Sequence, residues 1–372
     1  MVAGACRQSD RVEGRIGRNP QERKNAIRSV AFAHIRNLLV RGVNWIGDAV
    51  MTTPALASLR SAFPHARITM LVKPWVAPVY ENNPHLDRVL LYRSDGRHAG
   101  PAGLFRLARD IKRLHFDAAL LLQNAFEAAW IAMLAGIPMR IGYDTDARRL
   151  LLTHPIRRSP RVRKGHQTGY YQGILQGMGF RSGNHRLQLV VGDKDKERAD
   201  ALLRRLDIGR DAILLGINPS AAFGPAKQWP PQRFARLADR LRRQVSGHVL
   251  LFGGPGDRRL GEQVAAAMTG ASVNLAGQTR LGEAMALIER CRFFVTNDSG
   301  LMHVAAALDT PQVAIFGSTD PRATGPWSNA ARIVTSGEPC APCLKPVCPL
   351  GHLHCMERIG VDRVWAAVQE ML

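Results

Sequence analysis

Thr296-Asn297-Asp298-Ser299-Gly300-Leu301-Met302-His303, then an alanine-rich run, then Pro311-Gln312-Val313-Ala314-Ile315-Phe316-Gly317-Ser318-Thr319-Asp320-Pro321, decides the fold. Residues 291–295, just ahead of it, are short, apolar and β-prone, the pattern of a buried parallel strand. Residues 296–300 carry turn and capping chemistry, and residues 301–308 have the composition of a short helix. Residues 313–316 make a second strand. Strand, polar loop, helix and strand in that order form a βαβ unit. Ser299 and Gly300 stand where the helix opens above the strand ends, and free backbone N–H groups there favour an anion, usually a phosphate. Asp298 is then either the helix cap or an acceptor for a ligand hydroxyl. A βα turn with ordinary capping and no ligand accounts for the same residues, and this stretch alone does not separate the two.

The same alternation extends outward in both directions. Strand 38–40 leads into the loop Arg41-Gly42-Val43-Asn44-Trp45-Ile46-Gly47-Asp48, a helix over about 49–61 and a strand over 67–72. The glycines of this loop do not match the Gly-x-Gly-x-x-Gly dinucleotide fingerprint, so NAD has little support. Asp48 sits at the carboxyl end of the first strand, the edge where open α/β sheets bind ligands. Taken alone, an Asp opening a helix reads as a capping group. Strands at 89–92, 118–122 and 140–143 and helices at 104–113, 125–135 and 166–178 complete one doubly wound domain, with 148–163 as a basic loop region. A charge-laced helix over 193–206 follows a linker at 187–191, and the pattern restarts with strand 213–217, helix 232–244, strand 248–252 and a helix from about 259 to 268. The domains expected are therefore 36–186 and 187–372, preceded by a basic, disordered leader over 1–35. Two such domains facing across a cleft would set the 44–48 loop opposite the 218–229 and 297–300 loops.

Four motifs taken together are similar to one family. They are Asn44-Trp45-Ile46-Gly47-Asp48-Ala49-Val50-Met51, Gly224-Pro225-Ala226-Lys227-Gln228-Trp229-Pro230, Asn297-Asp298-Ser299-Gly300-Leu301-Met302-His303 and Phe316-Gly317-Ser318-Thr319-Asp320-Pro321. In this order and spacing they resemble the lipopolysaccharide core heptosyltransferases, glycosyltransferase family 9, from about residue 37 to the C-terminus. The resemblance implies a GT-B fold of two Rossmann-like domains. It implies inverting transfer of L-glycero-D-manno-heptose from ADP-heptose to the first heptose of the Kdo–lipid A inner core, with no cofactor or metal required. By the same resemblance Asp48 becomes the catalytic base and Lys227 binds the pyrophosphate, with Ser299 and Gly300 supplying the helix N-terminus. Asn44 joins the substrate-binding set. Ser220 donates to a phosphate, Asp298 holds a heptose hydroxyl, His303 orients its loop and Glu262 reaches the adenosine ribose. For Glu262 an exposed position on a helix surface is the competing reading, and Trp229 reads as a packing anchor.

Cys340, Cys343, Cys348 and Cys355, with His352 and His354 among them, form a second cluster. Four soft ligands close in sequence suit tetrahedral zinc, but the spacing is not a usual two-pair pattern, so free thiols and a disulfide stay open. The last segment, 362–372, is an amphipathic helix expected to pack back on the first domain.

The net charge of +21 over 372 residues concentrates polyanions near the surface, and nucleic acid, an anionic membrane or a phosphorylated substrate would each fit it. No aromatic-rich platform or nucleic-acid motif accompanies the charge, so no nucleic acid is expected. The resemblance offers an anionic lipid A acceptor instead, with Arg148, Arg149, Arg157, Arg158, Arg161, Arg163 and Lys164 as the acceptor-facing patch. The longest apolar stretch, 118–137, is broken by Gln123, Asn124 and Glu127, and the N-terminus lacks a secretory core. A cytosolic enzyme, in peripheral contact with the inner membrane, is the expectation.

Overall fold

A computed structural model of the chain describes residue 32, residues 34–183 and residues 185–372. Most of the 1–35 leader therefore lies outside the described residues. Its end does not behave as a leader: Phe32 and Ile35 are buried in the main core, with Phe32 edge-on to His154.

The described chain builds two sheets of the same design. Strands β1 (Asn37–Arg41), β2 (Arg67–Val72), β3 (Arg88–Leu91), β4 (Ala118–Leu121), β5 (Met139–Tyr143) and β6 (His154–Ile156) pair in the order β3-β2-β1-β4-β5-β6. Strands β7 (Leu214–Asn218), β8 (His248–Leu251), β9 (Ser272–Asn274), β10 (Cys291–Asn297), β11 (Gln312–Ile315) and β12 (Ala331–Val334) pair as β12-β11-β10-β7-β8-β9, the same order read from the opposite edge. Every pairing is parallel. Each sheet thus has its topological switch point beside its first strand, between β1 and β4 and between β7 and β10, where a crevice opens at the carboxyl ends. Parallel strands buried on both faces must read as continuous apolar runs, and Leu38–Val40, Leu214–Leu215 and Phe293–Val295 do.

One apolar cluster runs from Leu38, Val40 and Ile68 of the first lobe to Leu214, Leu250 and Phe294 of the second, so the lobes share a core. The second lobe has a further core of its own around Trp229, Phe234 and Trp365. Trp229 is fully buried, donates its indole N–H to the Ile359 carbonyl at 2.8 Å and meets Phe234 edge to face. It is the packing anchor expected of it. Trp229→Ala should cost about 3–5 kcal/mol and lower the calorimetric Tm accordingly.

Local chemistry changes several expected elements. The helix expected over 49–61 is two, Ile46–Met51 and Thr53–Ala62. Pro54 has no N–H to give Val50, and the Thr53 hydroxyl donates to that carbonyl instead at 2.7 Å. The C-terminal helix, Val361–Gln369, packs on helix Pro231–Val245 and on β11 and β12 of the second lobe rather than on the first domain. Trp365 and the ion pair of Asp362 with Arg240 hold it there. Strands β6, β9 and β12 were not expected, and β6 lies inside the stretch read as a basic loop. They are three or four residues long and sit toward the sheet edges, too short to show a period.

Candidate active site between the lobes

The loops that follow β1, β7 and β10 leave the two switch points and meet across the cleft. Helix Ile46–Met51 packs directly on helix Gly300–Ala307. The approach is close enough to require glycine on both sides. A Cβ on Gly47 would lie 2.6 Å from the His303 ring, and one on Gly300 would lie 3.0 Å from the Ile46 Cβ and 3.3 Å from the Gly47 nitrogen. Above this crossing opens a cavity of about 450 Å³ lined by Asn44, Asp48, Lys227, Asp298, Ser299, Gly300 and His303, with Trp45, Trp75 and Phe223 at its apolar walls.

Asp48 stands in the first turn of helix Ile46–Met51, and no side-chain cap bond involves it. Its Oδ1 accepts from the Tyr171 hydroxyl at 3.1 Å. Burial pushes its pKa up from the ordinary carboxylate range, opposed by that hydrogen bond and by the charge of Lys227. The loop ahead of it is fixed by Arg41, a fully buried guanidinium that donates to the Gly42 and Leu71 carbonyls and to Asn44 Oδ1. Burial lowers the pKa of Arg41 to about 10, which leaves it charged at neutral pH. Trp75 adds an indole N–H to the Asn44 carbonyl at 2.8 Å.

The second lobe supplies the opposite wall. Ser299, not Asp298, caps helix Gly300–Ala307: its hydroxyl accepts from the Met302 N–H at 3.3 Å and from Asn218 Nδ2 at 2.8 Å. Asp298 is instead buried, with Oδ2 accepting from Lys227 Nζ at 2.5 Å and from Thr319 Oγ1 at 2.6 Å. Asn297 joins the loops behind it, accepting from the Trp229 N–H and donating to the Pro219 carbonyl. His303 is buried, its pKa is lowered to about 4 chiefly by that burial, and its Nδ1 has no hydrogen-bond partner. It is neutral at physiological pH. A carboxylate with a raised pKa thus faces an ammonium and an open helix N-terminus across one cavity, the arrangement for taking a proton on one side and binding an anion on the other.

Asn44, Asp48, Lys227, Asp298, Ser299, Gly300 and His303, read as site residues from the sequence, come together here. Two others do not line the cavity. Ser220 is buried on the 218–229 loop, and Glu262 pairs with Arg258 on the exposed side of helix Arg258–Ala267. Arg148 is no surface arginine: it is fully buried and ties the Tyr143 and Gln123 carbonyls and Asn124 Oδ1 together at the ends of β4 and β5. Tyr171 and Thr319 were missed. Thr319 lies in a quoted motif, whereas Tyr171 carries no local signal.

Cys340, Cys343 and Cys348 lie close enough to Cys355 that, after burial, their charges help to push its thiol pKa up. Cys340, Cys343, Cys348 and Cys355 are free thiols, Cys355 buried in the second-lobe core and Cys340 exposed. Among the described residues no three His, Cys, Asp or Glu side chains are placed to hold a metal ion.

Two solved structures match nearly the whole arrangement. That of Escherichia coli ADP-heptose lipopolysaccharide heptosyltransferase II is 28% identical with a TM-score of 0.74, over 90% of this chain and 98% of its own. A glycosyltransferase family 9 protein from Veillonella parvula is 27% identical with a TM-score of 0.79, over 90% and 97%. Two Rossmann-like lobes closing on a cavity of this kind make the fold GT-B, that of a glycosyltransferase. The model of glycosyltransferase family 9 (heptosyltransferase) matches residues 104–354, and lipopolysaccharide heptosyltransferase 2 of Salmonella typhimurium is 31% identical over 80% of this chain and 87% of its own. The chain belongs to glycosyltransferase family 9, the heptosyltransferases.

Proposed function

We propose that this enzyme transfers L-glycero-D-manno-heptose from ADP-heptose, with inversion, to the first heptose of the Kdo–lipid A inner core. This is the step assigned to a heptosyltransferase II. The observation that carries the reading is the convergence of Asp48, Lys227 and the Ser299-capped helix on one cavity at two sheet switch points. The relatives named heptosyltransferase 2 support the choice of acceptor.

In this reading the acceptor hydroxyl attacks the anomeric carbon of the donor as the bond from that carbon to the diphosphate oxygen breaks. Asp48 takes the hydroxyl proton on the oxygen that Tyr171 leaves open, and the electron pair of the broken bond stays on ADP. Lys227 and the N–H groups opening helix Gly300–Ala307 meet the charge that grows on the leaving diphosphate. Lys227 exchanges Asp298 for phosphate when donor enters, and the released carboxylate accepts a heptose hydroxyl. His303, neutral and unable to repel Lys227, orients the loop. Ser220 donates to a phosphate and Glu262 reaches the adenosine ribose in this reading, both from outside the walls of the cavity itself. The acceptor half is the 36–186 domain and the donor half the 187–372 domain, with the enzyme working at the cytosolic face of the inner membrane. No resident metal or cofactor enters the scheme.

Calorimetric titration with ADP-heptose, ADP, UDP and NAD tests the donor. Binding of the two adenine diphosphates, weakened in Lys227→Ala, is expected. A preference for UDP would replace the donor by another nucleotide sugar. Silence from all four, together with salt-sensitive binding of nucleic acid, would replace the whole reading.

A further inference from the structure

The outer face of the first lobe carries apolar side chains that its own chain leaves uncovered. Helices Gly100–Lys112 and Phe126–Leu134 pack together on that face and bury Leu107, Ile111, Ala129 and Ile131 beneath them. A helix of a globular domain ordinarily turns a polar side outward. The second of these does not. Phe126, Trp130 and Met133 fall at i, i+4 and i+7 on its exposed side, and the first two rings meet edge to face with centroids 5.6 Å apart.

Neighbouring elements extend the patch. Phe105, 57% exposed, shares a side of its helix with Lys112 seven residues on. The Lys112 Cε lies 4.0 Å from where a Cβ on Gly136 would stand, at the end of the Phe126–Leu134 helix, so that side is turned toward the neighbour. The turn Arg148–Leu151 packs on the same helix and leaves Leu150 92% exposed. Single exposed apolar residues need no explanation, but a joined set with aromatic members marks an interaction surface.

The charge beside the patch selects its occupant. Arg106 and Arg109 are exposed on the helix of Phe105, and Arg149, 59% exposed beside Leu150, is paired with Asp144 at 3.6 Å. Of the acids on these elements, Asp110 is tied to Arg97 at 2.8 Å and Glu127 is exposed. A second copy of a chain of net charge +21 would bring like charge against like charge, whereas anionic lipid complements it. Aromatic rings flanked by arginines are the composition that settles at a bilayer interface, rings among the headgroups and guanidinium groups on the phosphates. Among the described residues no helix is long and apolar enough to cross a membrane.

We infer that the face formed by Phe105, Phe126, Trp130, Met133 and Leu150 docks this enzyme on an anionic phospholipid surface. Its position suits such a role. The N-terminal end of the Phe126 helix and the Arg148 turn lie at the carboxyl ends of β4 and β5, the sheet edge that also carries Asp48. A docked protein holds its acceptor half toward lipid. The inference rests on the proposed function only for its use, to bring a lipid-borne acceptor to the cleft, and docking itself needs neither substrate.

The test is co-sedimentation of the full chain with vesicles of phosphatidylcholine alone and of phosphatidylcholine mixed with phosphatidylglycerol, without donor or acceptor. Wild type should bind the mixed vesicles selectively. Phe126→Ser/Trp130→Ser/Met133→Ser should weaken that binding roughly tenfold or more, with Tm and light-scattering mass unchanged. Arg106→Glu/Arg109→Glu should remove the preference for anionic vesicles, and it keeps the test decisive if the serine variant is unstable. Wild type indifferent to anionic vesicles would overturn the inference, as would both variants binding like wild type. A serine variant that splits an oligomer while binding vesicles normally would assign the face to a second copy instead. Wild type that docks on the mixed vesicles but transfers no heptose from ADP-heptose would count against the proposed function alone.

Discussion

Asp48→Asn should bind ADP-heptose as wild type does and lose transfer by about 100- to 10,000-fold, the usual contribution of a positioned general base. The substitution keeps the shape and an acceptor for Tyr171, and removes the charge and with it the ability to take a proton. The pH profile provides the companion result. Burial raises the pKa of Asp48, so the acid limb of kcat/KM should lie above the ordinary carboxylate range, with activity falling as pH drops through it. The groups facing Asp48 are Tyr171, Tyr80 and Lys227. Tyr171 is the one whose hydrogen bond favours the ionised form, so Tyr171→Phe should move the limb to still higher pH. The stability sign follows from the same shift. A folded pKa above the unfolded one means the fold disfavours the ionised carboxylate. That penalty is absent below the unfolded value and fully present above the folded one. Asp48→Asn should therefore leave the Tm at neutral pH no lower than that of wild type, and a large drop would mean that Asp48 is held for structure.

Lys227→Ala should produce the second large effect, a loss of about 100- to 1,000-fold in transfer with weakened donor binding, because the growing charge on the diphosphate loses its cation. The ion pair with Asp298 complicates the single variant. Both side chains are largely buried, and removing one partner of such a pair costs about 3–5 kcal/mol by stranding the other. Lys227→Met/Asp298→Asn separates the two causes. It removes both charges, so it should recover most of the Tm lost in Lys227→Ala while transfer stays low. Recovery of transfer along with stability would make Lys227 a structural partner of Asp298 rather than a ligand for phosphate.

What the sequence disclosed about this site follows a physical division. Asp48, Ser299, Gly300 and Lys227 stand in the loops and first helical turns that follow apolar strands, and those segments share the carboxyl edge of a parallel sheet. Those positions were legible. Tyr171 was not, because its partner lies 123 residues away and its own helix gives a tyrosine no reason to point anywhere in particular. Arg148 looked like its neighbours Arg149 and Arg157, yet it is buried. Residue type does not reveal that a guanidinium has three acceptors waiting at the ends of two strands. The choice between cap and ligand group at Asp298 likewise needed the third dimension. Ser299 takes the cap, and Asp298 is claimed by Lys227 and Thr319, both distant in sequence. The C-terminal helix was recognised as amphipathic, but its apolar face alone could not say which lobe it would cover.

Mass analysis of the acceptor after reaction tests most directly whether Asp48 drives heptose transfer from ADP-heptose to a heptose-bearing acceptor. Heptosyl-Kdo–lipid A incubated with ADP-heptose and wild-type enzyme should gain one heptose, Kdo–lipid A without the first heptose should gain none, and Asp48→Asn should leave both unchanged. Equal transfer by wild type and Asp48→Asn, or transfer only to the acceptor lacking heptose, would contradict the account.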